Sequence, residues 1–154
     1  MERGDSMIRR SPSLGLVTLL CLWSATATAE RTAVLVTNSR CPVSELSSLE
    51  IRKAYLGVAV SHDGYAVRPL RLTSDPDLNR VFFQAIVAMS EKSYERRALS
   101  LALKFGTPRP EEFASREGAL AALERVDCGL LYLWANDVEH FENTKVIKAL
   151  WRGD

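Results

Sequence analysis

The stretch from Val67 to Met89 reads as a strand, a polar loop and an amphipathic helix in unbroken succession, and this leaves few folds open to the chain. Leu70 and Leu72 alternate with Arg71, as a half-buried strand with an edge-facing arginine requires. Thr73, Ser74, Asp75, Pro76 and Asp77 follow. Asp75 is a good N-cap, Pro76 suits the first helical position, where its missing N–H costs nothing, and Asp77 places negative charge in the first turn. Leu78, Val81, Phe82, Ala85, Ile86 and Met89 then recur at the spacing of one buried helix face. Open α/β sheets bind ligands at such strand-to-helix loops. The hydroxyls and free N–H groups of residues 73–77, with neighbouring Arg71, suit a small anion. The structural alternative is that Ser74 and Asp75 only cap the helix.

The first 29 residues have the pattern of an export signal. Leu14 to Trp23 is an apolar run of ten residues preceded by Arg9 and Arg10, and Ala27-Thr28-Ala29 supplies a small-x-small cleavage motif. A membrane span needs about 20 residues, so a cleaved leader fits better than an anchor. Leu20 before Cys21 argues against lipid attachment, and Glu2 and Asp5 make Met7 an alternative start. Cleavage after Ala29 places residues 30–154 in the periplasm as one domain of 125 residues. The leader holds three basic and two acidic residues of the chain's 20 and 19, which leaves 17 of each in the domain. A domain with no basic excess is a poor binder of nucleic acid. Cys41 and Cys128 remain after cleavage. Export favours a disulfide, which on the chain-entropy estimate is worth about 4 to 5 kcal/mol, and the alternative is two separate buried thiols.

In chain order, Thr32 to Thr37 reads as a buried strand running into a loop held non-helical by Pro42. Ser47 and Glu50 form a capping box for a helix over residues 48–56. Leu46 is placed to staple onto Ile51, Ile51, Ala54 and Tyr55 face inward, and Gly57 stops the helix. Asp63-Gly64 centres a turn before the Val67 strand. Residues 90–105 form a second helix in which Tyr94, Ala98, Leu101, Ala102 and Phe105 share a face and Glu91, Lys92, Glu95, Arg96 and Arg97 are wet. Thr107 to Pro110 is an extended connector, and Ser115 caps a short helix carrying Leu120, Leu123 and Val126. Gly129 to Trp134, the most apolar stretch of the domain, suits a central strand covered on both faces. A polar connection over residues 136–143 leads to a last strand over 146–151. Strands alternating with helices make an α/β sandwich.

The chain shows no nucleophile elbow, phosphate-cradling glycine loop or histidine-carboxylate metal spacing. His62 and His140 are isolated in sequence, and the adjacent Glu111 and Glu112 point different ways. A binding protein without a cofactor or metal fits better than an enzyme.

The order of apolar strand, Leu46-Ser-x-Leu-Glu-x-x-x-Ala-Tyr-Leu-Gly57, Asp63-Gly64, Val67-Arg-Pro-Leu70, Phe82, Phe105-Gly106 with Pro108 or Pro110, and Gly129-Leu-Leu-Tyr132 resembles the periplasmic phosphate-binding proteins of ABC importers. The resemblance covers Ala33 to Trp151. It implies a single-lobe sandwich with a mixed sheet of about four to five strands and helices on both faces, and binding of phosphate or another small oxyanion through Arg71, Thr73, Ser74 and Asp75. It also implies that the Ala33 strand runs antiparallel to the Gly129 strand, which brings Cys41 near Cys128. The chain departs from the family in two ways. The family's Ser-Gly-Thr loop is here Thr73-Ser74-Asp75-Pro76, with carboxylates that repel phosphate, and the chain is little more than one lobe of a two-lobed protein. An alternative is a degenerate lobe that binds a periplasmic or membrane protein partner and no small ligand.

Overall fold

The computed structural model describes residues 30–153. Its centre is a mixed five-stranded sheet in the order β5-β4-β6-β1-β7. The strands are β1 (Thr32–Asn38), β4 (Arg68–Leu72), β5 (Glu111–Phe113), β6 (Gly129–Trp134) and β7 (Thr144–Arg152). β4 runs parallel to both β5 and β6, whereas β1 is antiparallel to β6 and β7. The apolar Gly129 strand is central, and every residue of it is buried. Its side chains alternate between two covered faces. Tyr132 meets Tyr55 and Phe82 on one face, while a Cβ on Gly129 would lie 2.8 Å from Leu123 on the other.

The first face is covered by α1 (Ser48–Tyr55) and α2 (Pro76–Val81). Both start where side-chain chemistry dictates. Ser47 and Glu50 form the reciprocal capping box of α1, and Asp75 caps α2 with Pro76 in its first turn. Leu46 and Ile51 are both buried beside the α1 entry. A single π-helical turn, Phe82–Ile86, continues α2, with the Val87 N–H donating to the Phe82 carbonyl. This turn corrects the expected buried face: Ala85 is exposed, and Ile86 and Val87 are buried. A turn closed five residues back holds one residue more than an α-turn, so the inward face slips by one position. The chain then leaves the helix through Ala88 at φ 50°.

α3 (Glu91–Phe105) is capped by Ser90, which the sequence reading places inside the helix, and ends at Gly106 in the left-handed conformation. Its expected inner face is correct only at the start. Tyr94 is buried, Ala98, Leu101 and Ala102 are half-buried, and Phe105 is 75% exposed. α4 (Arg116–Arg125), capped by Ser115, covers the second face through Leu120 and Leu123. The Asp63-Gly64 turn joins the two-residue strands β2 (Ser61–His62) and β3 (Tyr65–Ala66), with positive φ at both turn residues. One helical turn, α5 (Ala135–Val138), opens the expected connection over residues 136–143 and begins one residue before it.

β5 is absent from the sequence expectation, which ends an extended connector at Pro110. Three residues with two glutamates carry no strand pattern, and only parallel pairing with β4 makes them one. That pairing also corrects the view of β4. It is an inner strand with both faces covered, so Arg71 is buried, 3% exposed, instead of edge-facing.

Cys41 and Cys128 form a disulfide with a Cα separation of 5.0 Å. The antiparallel β1–β6 pairing sets one cysteine just past the end of β1 and the other just before β6. Asn38, at the end of β1, reinforces the junction: its amide nitrogen lies against the Leu123, Val126 and Asp127 carbonyls at the end of α4, and its Oδ1 accepts from the Cys41 N–H. The expected leader, residues 1–29, lies outside the described residues. Among the described residues, no helix is long and apolar enough to cross a membrane.

Candidate functional site

The parallel strands β5, β4 and β6 end on one edge of the sheet, at Phe113, Leu72 and Trp134. The loop from Thr73 to Asp75 leaves the middle one of these ends. Thr73 is fastened on both sides: its N–H and its hydroxyl donate to the Phe113 carbonyl at 2.9 and 3.1 Å, and its own carbonyl accepts from Asn79 Nδ2 at 3.0 Å. Ser74 is exposed at the apex.

Asp75 uses both carboxylate oxygens. Oδ1 accepts from the N–H groups of Asp77 and Leu78 at 2.9 and 3.0 Å, and Oδ2 accepts from the Trp134 indole N–H at 2.7 Å. Partial burial works against the charge of Asp75. The Leu78 N–H, the Trp134 indole, the Asp77 N–H and the Arg31 guanidinium outweigh it and hold the carboxyl below its ordinary pKa. Arg31 stacks over the Trp134 ring at 3.9 Å and lies 3.3 Å from Asp77 and 3.9 Å from Asp75. The ring of Trp151 meets Trp134 edge-on at 6.0 Å. Beyond them, Arg116 at the start of α4 pairs with Asp137 of α5. Sequence reasoning missed Arg31, Asn79 and Trp134 as parts of this edge. A tryptophan closing an apolar strand was the one visible signal, since its N–H needs a partner when buried.

Arg71 does not join this group. The strand alternation that puts Leu70 toward α4 turns Arg71 to the opposite face, into a cage of Phe82, Phe83 and Tyr94 whose ring centres lie 4.7, 5.1 and 5.3 Å from its guanidinium carbon. Nη1 bonds Glu112 at 2.7 Å and lies 3.7 Å from Glu95, while Nη2 reaches Asn79 at 3.5 Å. Nε is buried without a hydrogen-bond partner among the described residues. Of the four expected ligand residues, Thr73, Ser74 and Asp75 therefore share the edge, and Arg71 reaches it only through Asn79.

The cage belongs to an aromatic layer tied to the sheet by phenols. The Tyr132 hydroxyl donates to the Leu72 carbonyl at 3.2 Å and that of Tyr94 to Tyr55 O at 3.2 Å, while the Tyr55 hydroxyl lies between the Leu70 and Leu130 carbonyls at 3.1 and 3.0 Å. Desolvation raises the pKa of all three, which keeps them protonated donors. His62 is half-buried, with Nδ1 3.4 Å from Glu50 and Nε2 3.6 Å from Asp63. Among the described residues no group of three or more histidine, cysteine or carboxylate side chains is placed to hold a metal. An apolar groove of about 550 Å³ passes Val58, Val67, Pro69 and Pro108, at the other end of β4 from Ser74.

No family model and no curated protein sequence matches the chain. Solved structures do match its fold. An ABC-type phosphate transport receptor from Vibrio cholerae superposes with a TM-score of 0.57 at 10% identity, over 77% of this chain and 46% of that one. A possible phosphate binding protein from Planctomyces limnophilus gives 0.54 at 12% identity, over 77% and 41%, and PstS from Borrelia burgdorferi gives 0.52 at 7% identity, over 72% and 43%. The chain spans less than half the length of each. Its fold is that of a phosphate-binding-protein-like lobe, as the sequence resemblance implies.

Proposed function

We propose that this lobe belongs to an exported solute-binding protein and takes a small oxyanion, phosphate or a similar ion, at the loop between Thr73 and Asp75. One observation carries this: the loop leaves the carboxyl end of a central parallel strand, in a fold shared with a phosphate transport receptor. The exposed Ser74 hydroxyl is placed to donate to the ion, and Arg31 is the near cation. Arg71 acts behind the site, steadying the Thr73 carbonyl through Asn79. Asp75 sets the affinity, because an incoming anion competes with its carboxylate for the Asp77 and Leu78 N–H groups.

Thermal unfolding with phosphate, sulfate and molybdate tests the assignment. A ligand at a hundredfold its Kd stabilises the fold by about 2.7 kcal/mol. Asp75→Gly removes the competing carboxylate at a capping cost of only a few tenths of a kcal/mol, along with the acceptor of the Trp134 indole N–H, and strengthens the response. Ser74→Ala weakens it. A flat response from wild type and Asp75→Gly at millimolar anion overturns oxyanion binding. Export is tested separately by the mass of the secreted protein, expected to begin at Glu30.

A second reading rests on the same carboxylate. Asp75 already occupies the N–H pair that an anion would use. On that reading the lobe is an accessory module that docks on a periplasmic or membrane protein, and no oxyanion stabilises either variant.

A further inference from the structure

The outer end of α3 combines three exposed apolar side chains with unpaired cations. Leu99, Leu103 and Phe105 are 55%, 79% and 75% exposed. Lys92, Arg96, Arg97 and Lys104 form no ion pair among the described residues, and all four are exposed. Among the described residues, Glu91 is the one acid of the helix without an ion pair. Glu95, its other acid, is engaged by Arg109 and Arg71. The domain as a whole has no net charge, so this local excess is a feature of the helix.

We propose that the α3 tip docks the protein on an anionic phospholipid surface. Two features of the geometry favour a bilayer over a protein groove. Leu103 and Phe105 are two residues apart, which on a helix is about 200° of rotation. They project on opposite flanks of the tip, where no single partner face covers both, whereas a fluid interface entered end-on surrounds the tip and receives both. The second feature is depth. Arg97 precedes Leu103 by six residues, a rise of about 9 Å along the axis. Side chains of an interfacial helix sink about 5–10 Å into the headgroup boundary. If α3 meets the surface end-on, with Arg96 and Arg97 level with the lipid phosphates, Leu103 and Phe105 reach the acyl boundary and Lys104 lays its stem along the apolar layer with its ammonium at the surface. The tip is pinned to the body: Gly57, at the end of α1, abuts Thr107 so closely that a Cβ there would lie 2.7 Å from the Thr107 methyl.

Vesicle flotation of the exported protein, purified without detergent, tests this. Vesicles of phosphatidylglycerol mixed equally with phosphatidylcholine are expected to retain wild type at low salt, phosphatidylcholine alone to retain roughly tenfold less, and added salt to weaken the binding. The double variant Leu103→Ser/Phe105→Ser, made in the same chain with the same N-terminus, is expected to lose roughly tenfold in vesicle affinity. Both side chains are mostly outside the core, so its melting temperature should stay near wild type. Arg96→Gln/Arg97→Gln is a second, packing-neutral variant that removes two of the four cations and should weaken the preference for the anionic lipid. No retention by the mixed vesicles, or equal retention of wild type and both variants, overturns the proposal. So does light scattering that shows a dimer dissociated by Leu103→Ser/Phe105→Ser, since the tip would then be an interface between copies.

Discussion

Replacing Arg71 by alanine should cost the fold about 2 kcal/mol, a consequence of its place in the aromatic cage. The substitution removes two buried methylenes beyond Cβ, worth about 1.6 kcal/mol at ~0.8 each. A desolvated cation facing the rings of Phe82, Phe83 and Tyr94 contributes about 2 kcal/mol. Glu112 is 47% exposed, so solvent screening limits its ion pair to less than about 1 kcal/mol. Against these stands the relief of a buried charge whose Nε has no partner, about 1 to 3 kcal/mol. In a domain of this size the net loss lowers the melting temperature by roughly 10 °C. Arg71→Met separates packing from charge. It refills the cage with an apolar side chain and leaves Glu112 free to solvate, so it should cost only about 1 kcal/mol. Urea titrations of the three proteins at equal m-value measure both differences. A loss below about 1 kcal/mol for Arg71→Ala, or an Arg71→Met as unstable as Arg71→Ala, refutes this account of the cage.

The disulfide closes a separation of 87 residues, so Cys41→Ser/Cys128→Ser should lower stability by about 4 to 5 kcal/mol on the chain-entropy estimate; a loss under about 1 kcal/mol in a denaturation series would show that the β1–β6 pairing holds the junction unaided. An acid limb is also expected. The carboxyl of Asp75 is depressed, and that of Glu50 is held at about 2 by the Ser47 hydroxyl, the Ser47 N–H and His62. Both groups release more protons folded than unfolded, so their stabilisation is complete above the ordinary carboxylate range and is lost as pH falls through their native pKa values. Melting temperatures of Asp75→Asn should therefore fall less steeply below pH 4 than those of wild type, and parallel profiles would remove Asp75 from the acid limb.

Local chemistry wrote much of this fold into the chain. The Ser47-Glu50 box, the Asp75-Pro76 start, the Ser90 and Ser115 caps and the Gly106 stop each act within a few residues, so the sequence contains both partners. The unbroken apolar run from Gly129 to Trp134 likewise declares a strand with no wet face. The loop of the candidate site was legible for the same reason, since Asp75 and the N–H groups it caps are neighbours. Tertiary structure decided what depends on distant segments. Glu111 to Phe113 became a strand only beside β4, and its arrival converted β4 from an edge to an inner strand. That conversion, with Phe82, Phe83 and Tyr94 folding over it, took Arg71 out of solvent and away from the site. Trp134 and Arg31 met Asp75 from 59 and 44 residues away. No pattern within one segment encodes such meetings, because strand order and the packing of aromatic rings are settled by the whole chain at once.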